Sequence, residues 1–302
     1  MLNRRTLIAA CAALAVSAGA AAAQDWKAKY PELVFAVVPA ENATGVIERY
    51  TPFTEYLSRQ LGTKVTLRIA NDYAAVIEGQ RSGNVHIGSY GPSAFARALM
   101  TGAKIEAFAI EVNADGTKGY RSVLYVKADS PYKSIEDLKG KNICLVDPNS
   151  TSGNNVPRFS LNKMGIKPDE FFGKVVYAGS HENAVIAVQQ GTCDAAFNWW
   201  NDEQESNLKR MERKGMAKYD DYRIIFKSEQ IVNSPYAYLA DLPSELKAKI
   251  RDAFFSIDKN DKAAFDKIYE GKQQMWQPVD NESYVGIIEL NKFVDELRKK
   301  KS

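Results

Sequence analysis

Short apolar runs alternate with amphipathic stretches along most of the chain, and the alternation predicts its architecture. Residues 33–38 (LVFAVV) form a continuous apolar run, the pattern of a strand covered on both faces. Residues 44–61 then carry Tyr50, Phe53, Tyr56, Leu57 and Leu61 near helical spacing, and Gly62 stops that helix. Residues 65–69 (VTLRI) predict a second strand, and Asp72 caps a helix over 73–82 that Gly83 ends. A third strand is expected over 85–88 and a fourth over 105–112; between them Pro92 sits in the first turn of a helix reaching Met100. This β-α-β-α-β-α-β order is the signature of a parallel sheet covered by helices.

The same rhythm recurs after Tyr120. Strands are expected over 120–127, 142–146, 174–178, 194–199 and 222–227, with helices over 134–138, 155–164, 182–190 and 202–213. An extended segment, 231–239, precedes a tail read as helical throughout, over 244–256, 259–270 and 283–300. Two α/β units in one chain predict a bilobed protein. The lobes are expected to be residues 24–122 with 236–302, and residues 123–235, with crossings near 120–126 and 231–238 and the last helices packed on the first lobe. Ligands of open α/β sheets bind beyond the carboxyl ends of the strands, which here places a site in the cleft between lobes.

Composition narrows the function. The 302 residues are 45% hydrophobic and 25% charged, ordinary for a soluble globular protein. Forty Lys and Arg against 37 Asp and Glu leave no basic excess for nucleic acid. Two His and three Cys without a C-x-x-C pair argue against a His-based metal centre and against zinc ribbons. Residues 1–23 read as a cleaved export signal: Arg4 and Arg5, an apolar stretch over 7–18, and Ala21-Ala22-Ala23 before Gln24. The arginine pair also has a twin-arginine look, and 8–11 (IAAC) a weak lipoprotein-box look. The mature chain is then expected in the periplasm, nearly neutral, keeping Cys144 and Cys193, which either pair or remain buried thiols.

The sharpest chemical feature is Asp147-Pro148-Asn149-Ser150-Thr151-Ser152-Gly153, between a buried strand and a helix. Three hydroxyl residues at a helix N-terminus, with free amides and the positive end of the dipole, suit a tetrahedral oxyanion. The alternative is an ordinary capped turn. Tyr73, Tyr90 and His181 stand at other strand-to-helix junctions, and His181 is a possible donor to an anion. Trp199-Trp200, followed by Asn201-Asp202-Glu203, offers an aromatic wall with a carboxylate for an organic cation, or two core tryptophans; Glu41 is a weaker candidate for the same role. No G-x-S-x-G, P-loop, H-E-x-x-H or G-x-G-x-x-G is present, so a binding protein is favoured over an enzyme.

The DPNSTSG run, with His181-Glu182-Asn183-Ala184 downstream, resembles the periplasmic phosphonate-binding proteins of ABC transporters, the PhnD type. Segments 72–79, 89–94 and 119–124 are similar to the same family, and the resemblance covers roughly residues 33–239. It implies a type II periplasmic-binding fold and no cofactor. The expected partners are a small phosphonate and an inner-membrane permease, and the expected state is a monomer. It also implies that Ser150, Thr151, Ser152, Tyr73, Tyr120 and His181 hold the phosphonate oxygens, with Tyr90 lining the pocket. For 2-aminoethylphosphonate, the favoured ligand, the family places two carboxylates on the ammonium. One falls at Asn201, Asp202 or Glu203, with Asp202 preferred; at the other Ser234 replaces the acid, where Trp199, Trp200 or Glu41 would have to compensate. That departure leaves phosphite, methylphosphonate or phosphate as alternative ligands, and a periplasmic sensor or enzyme as an alternative use of the fold.

Overall fold

The computed structural model describes residues 26–299; the export segment read over 1–23 lies outside the described residues. The first unit runs β1 (Glu32–Val37), α1 (Ala43–Leu61), β2 (Lys64–Ile69), α2 (Tyr73–Arg81), β3 (Ile87–Ser89), α3 (Pro92–Met100) and β4 (Ile105–Asn113). The second runs β5 (Gly119–Lys127), β6 (Asn142–Leu145), a π-helical turn (Thr151–Asn155), α4 (Val156–Lys163), α5 (Pro168–Phe171), β7 (Lys174–Tyr177), α6 (His181–Gln189), β8 (Ala195–Trp200), α7 (Asn207–Arg213), β9 (Tyr222–Lys227) and β10 (Ile231–Val232). The chain closes with β11 (Pro235–Leu239), α8 (Ser244–Asn260), α9 (Lys262–Tyr269), β12 (Gln273–Pro278) and α10 (Val285–Lys299).

These elements make two sheets. The first has the order β12-β4-β11-β3-β1-β2, and the second β10-β5-β8-β6-β7 with β9 also on β5. Parallel pairing links β1 to β2 and β3, and β6 to β7 and β8, as the strand-helix alternation requires. β11 enters antiparallel between β3 and β4, so β4 is not β3's neighbour. The chain leaves the first sheet after Asn113 and returns to it at Pro235, so residues 120–126 lie wholly within the second sheet.

Each lobe has its own apolar centre. In the first, Phe35, Phe53, Tyr236, Phe254 and Trp276 interlock through edge-to-face and tilted ring contacts. In the second, Leu124, Val126, Ile143, Leu145, Leu161 and Phe197 form a buried cluster. Cys144 and Cys193 are joined by a disulfide with Cα atoms 5.8 Å apart, which ties β6 to the entry of β8.

Two expectations need correction. The tail is not all helix: β12 (QQMWQP) pairs antiparallel with β4. It carries no apolar alternation because it is an edge strand whose one fully buried side chain is Trp276. The helix expected over 202–213 begins only at Asn207, capped by Ser206, whose side chain accepts from the Lys209 amide. Helices α8 and α9 do pack on α1, whereas α10 lies against both α3 and α4 and so touches both lobes.

Candidate functional site

The carboxyl ends of both sheets meet at a cavity of about 120 Å³ between the lobes. One end is walled by Ser150, Thr151 and Ser152. Ser150 caps the π-helical turn, its Oγ accepting from the Gly153 amide at 3.1 Å. Gly153 is required there by close approach, since a Cβ would stand 2.4 Å from Val146. Tyr73 lies beside Ser150, and Tyr120 beside Thr151 and Ser152; burial pushes both phenols well above their usual range, so both stay protonated donors. Thr151 Oγ1 accepts from the Ser93 amide at 2.8 Å. That amide opens α3, whose N-cap Gly91 has no side chain to cap it, so a residue of one lobe caps a helix of the other.

His181 begins α6, fully buried. Asn198 donates to the His181 carbonyl (3.0 Å), which fixes its amide orientation and leaves Asn198 Oδ1 to accept from His181 Nδ1 (2.8 Å). Nε2 points to Ser150 Oγ at 3.4 Å. Burial lowers the imidazole pKa to about 4, with the Asn198 bond opposing it. The ring is therefore neutral near pH 7 and Nε2 is an acceptor. In this tautomer His181 is an acceptor where the sequence reading expected a donor: Nε2 can accept a hydrogen bond from a ligand P–OH or from the Ser150 hydroxyl.

The second end of the cavity is walled by Glu41, Arg49, Glu111, Trp199, Asn201, Arg210, Asn233, Ser234, Tyr269 and Gln273. Glu41 reaches it but is ion-paired with Arg49 and Lys214. Burial would raise the Glu41 pKa; Arg49, Arg210 and Lys214 outweigh burial and hold it below the usual carboxylate range. The Trp199 ring lies under the Arg210 guanidinium, 4.9 Å from its centre. Asn201 donates to Asn113 Oδ1 at 2.9 Å, and Asn233 donates to the same oxygen at 3.2 Å.

Two predicted residues, Asp202 and Trp200, are not where the sequence reading put them, whereas Tyr90 lines the cavity as expected. Asp202 is outside the cavity; its Oδ1 accepts from the Gln204 (2.7 Å) and Glu205 (2.8 Å) amides and caps the turn before α7. Trp200 points to the opposite face of β8 from Trp199, as successive strand residues must, and stacks under Lys227 at 3.7 Å. Tyr90 lines the cavity with its ring, but its hydroxyl donates to Gln80 Oε1 (2.8 Å) inside the first lobe. Glu203, the remaining acid of that run, is exposed and bonded to Tyr219 and Lys227. The site residues that sequence reasoning missed are Arg49, Glu111, Arg210, Asn233, Tyr269 and Gln273. Glu111 left a signal: it is a carboxylate at the carboxyl end of the apolar strand β4.

The lobes are latched around the cavity. The Asn42 amide and side chain both donate to Glu182 Oε2 at 2.8 Å, and Lys214 bridges Glu41 and Glu182. On the opposite side Asn291 of α10 accepts from Asn155 (3.0 Å) and donates to the Ser93 carbonyl (2.9 Å).

Residues 35–284 match the sequence family described as ABC transporter, phosphonate, periplasmic substrate-binding protein. The phosphate-import protein PhnD of Mycolicibacterium smegmatis is 33% identical over 84% of this chain and 82% of its own length. The phosphonates-binding periplasmic protein of Escherichia coli is 34% identical over 78% of this chain and 70% of its own. Among solved structures, a binding protein component of an ABC phosphonate transporter from Pseudomonas aeruginosa superposes with a TM-score of 0.79 at 30% identity, covering 90% of this chain and 89% of the other.

Proposed function

The chain belongs to the periplasmic substrate-binding proteins of phosphonate ABC transporters, and from that premise we propose that it captures a small organophosphonate, 2-aminoethylphosphonate first, between its lobes. The observation that carries the reading is the convergence of the Ser150, Thr151 and Ser152 hydroxyls with the Tyr73 and Tyr120 phenols at the start of a helical turn. Neutral donors and free amides neutralise an oxyanion without an arginine contact. In this reading they hold the phosphonate oxygens, and His181 Nε2 accepts from a P–OH. Trp199 and Ser234 stand beside the substituent. Turnover is not expected, because the family that the chain matches consists of substrate-binding components.

Capture works through closure. Ser150–Ser152 and His181 come from one lobe, and Tyr73 from the other. A ligand bridging both binds the closed form better and shifts the population toward it. The closed monomer, exported to the periplasm, then docks on its inner-membrane permease. A second reading, phosphate or another small oxyanion, is favoured by Asn201, Asn233 and Ser234, which put neutral groups near the substituent, and by the name of the Mycolicibacterium relative.

Calorimetric titration of ligand-stripped protein with 2-aminoethylphosphonate, methylphosphonate, ethylphosphonate, phosphite, phosphate and sulfate decides between them. Tightest binding of 2-aminoethylphosphonate supports the first reading. Equal or tighter binding of phosphate or phosphite establishes the second. No heat from any of them refutes both.

A further inference from the structure

Two carboxylates line the cavity, and their circumstances differ. Glu41 is ion-paired with Arg49 and Lys214. Among the described residues no cation is ion-paired with Glu111; burial pushes its pKa up, and the Arg49 and Arg210 guanidiniums oppose that from a distance. The nearby guanidiniums bond elsewhere: Arg49 donates to Glu41 and to the Ile268 carbonyl, and Arg210 to Glu205 at 2.7 Å, its buried Nε left without a partner among the described residues.

The hydrogen bonds behind Glu111 suit it as an acceptor. Trp276 Nε1 donates to the Tyr269 oxygen at 2.7 Å, and the Tyr236 and Tyr269 hydroxyls are 2.6 Å apart. Tyr269 OH also lies 3.2 Å from Glu111 Oε1. Tyr269 has one proton. Given to Glu111, it leaves Tyr236 to donate to Tyr269, and every partner in the chain is satisfied. A half-buried carboxylate so placed, with Arg49 and Arg210 nearby but neither bonded to it, is stabilised further by a cation that joins it directly.

We propose that Glu111 is the specificity-determining residue of the cleft, holding a cationic substituent of the ligand whose oxyanion sits on Ser150–Ser152. It takes the part that the sequence reading gave to Asp202. The proposal rests on the phosphonate reading above and adds to it the sign of the substituent and the residue that reads it.

The test uses ligand-stripped wild type and Glu111→Gln, titrated with 2-aminoethylphosphonate, its uncharged shape mimic n-propylphosphonate, the anionic 3-phosphonopropionate, and methylphosphonate. Wild type is expected to prefer the aminoethyl over the propyl ligand by roughly 10- to 100-fold, the range of a charge-assisted hydrogen bond. E111Q is expected to bring that ratio near one. It should also tighten methylphosphonate several-fold, because a negative charge leaves the cleft. The two shifts have opposite signs, which a misfolded variant cannot produce. Glu111→Asp, keeping the charge with a shorter reach, should retain part of the preference.

A wild-type ratio near one, an unchanged ratio in E111Q, or tighter binding of 3-phosphonopropionate than of 2-aminoethylphosphonate overturns the proposal while methylphosphonate binding leaves the phosphonate reading intact. Absence of binding by every phosphonate overturns both.

Discussion

The two ends of the cleft are built on different plans. The oxyanion end is local: four consecutive residues, 150–153, supply three hydroxyls and the glycine that lets the turn close on Val146. The substituent end is assembled from α1, β4, β8, α7, α9, β12 and the segment just before β11, and most of its polar groups, though not Glu111, are held in ion pairs or amide contacts before any ligand arrives. A tetrahedral anion needs donors around one point, which a single helical turn provides. A variable substituent needs a surface, and a surface takes many segments. The charge-reading chemistry therefore sits in a unit that can be left alone while the selecting chemistry changes around it.

The largest test of this division is to remove the local unit. Replacing Ser150, Thr151 and Ser152 together with alanine should weaken every phosphonate by about a thousandfold or more, at roughly 1.5–3 kcal/mol for each charge-assisted bond. Calorimetry should show the loss to be the same for methylphosphonate and 2-aminoethylphosphonate. Unequal losses would mean that the two ends are not separate.

Next comes the support beneath the oxyanion end. The disulfide from Cys144 anchors β6, which leads directly into the 147–153 turn. Cys144→Ser with Cys193→Ser should cost roughly 2–4 kcal/mol in urea unfolding. The effect on ligand preference should be small, because the substituent end is not tied to that bond.

Acid provides a third test, again at the oxyanion end. In the unfolded chain His181 takes up a proton below its ordinary pKa of 6.5, whereas the folded ring holds off to about 4. Between those values the unfolded state binds more protons, so stability rises with pH. The contribution is present above pH 6.5 and is lost as pH falls toward 4, by at most about 3 kcal/mol. Thermal unfolding of wild type against His181→Asn across that window should show the steeper acid loss in wild type.

The smallest effect is expected at Asp202. Asp202→Ala should leave ligand affinity within about twofold and cost about 0.5–1 kcal/mol through the lost turn cap. A tenfold loss of 2-aminoethylphosphonate binding would return Asp202 to the site and undo its placement.

Legibility in the sequence follows the same division. The strand-helix alternation, the Asp72 cap and the 147–153 turn were readable because each is a contiguous pattern. The Trp199-Trp200 pair was visible, but which ring faces the cleft depends on strand phase, and β8 turns only Trp199 inward. Asp202 looked available because a helix was expected to start there; the actual start at Asn207 leaves it capping a turn. β12 was unreadable because an edge strand needs only one buried residue to hold it. Glu111 and Gln273 meet across β4 and β12, segments far apart in the chain, and periodicity carries no information about such a meeting.

The cap that Thr151 provides to α3 has a consequence for the order of events. A threonine hydroxyl has one proton, and with Ser93's amide on its lone pair that proton is free to turn toward the cavity. Separation of the lobes undoes this and returns the first amides of α3 to water, at a helix end that attracts negative charge. The open protein thus offers an arriving anion an unfinished helix start, α3 on one lobe, facing the 151–155 turn that Ser150 caps on the other. Thr151 finishes α3 only when the lobes meet, so the open and closed forms differ in which partner that helix end has found.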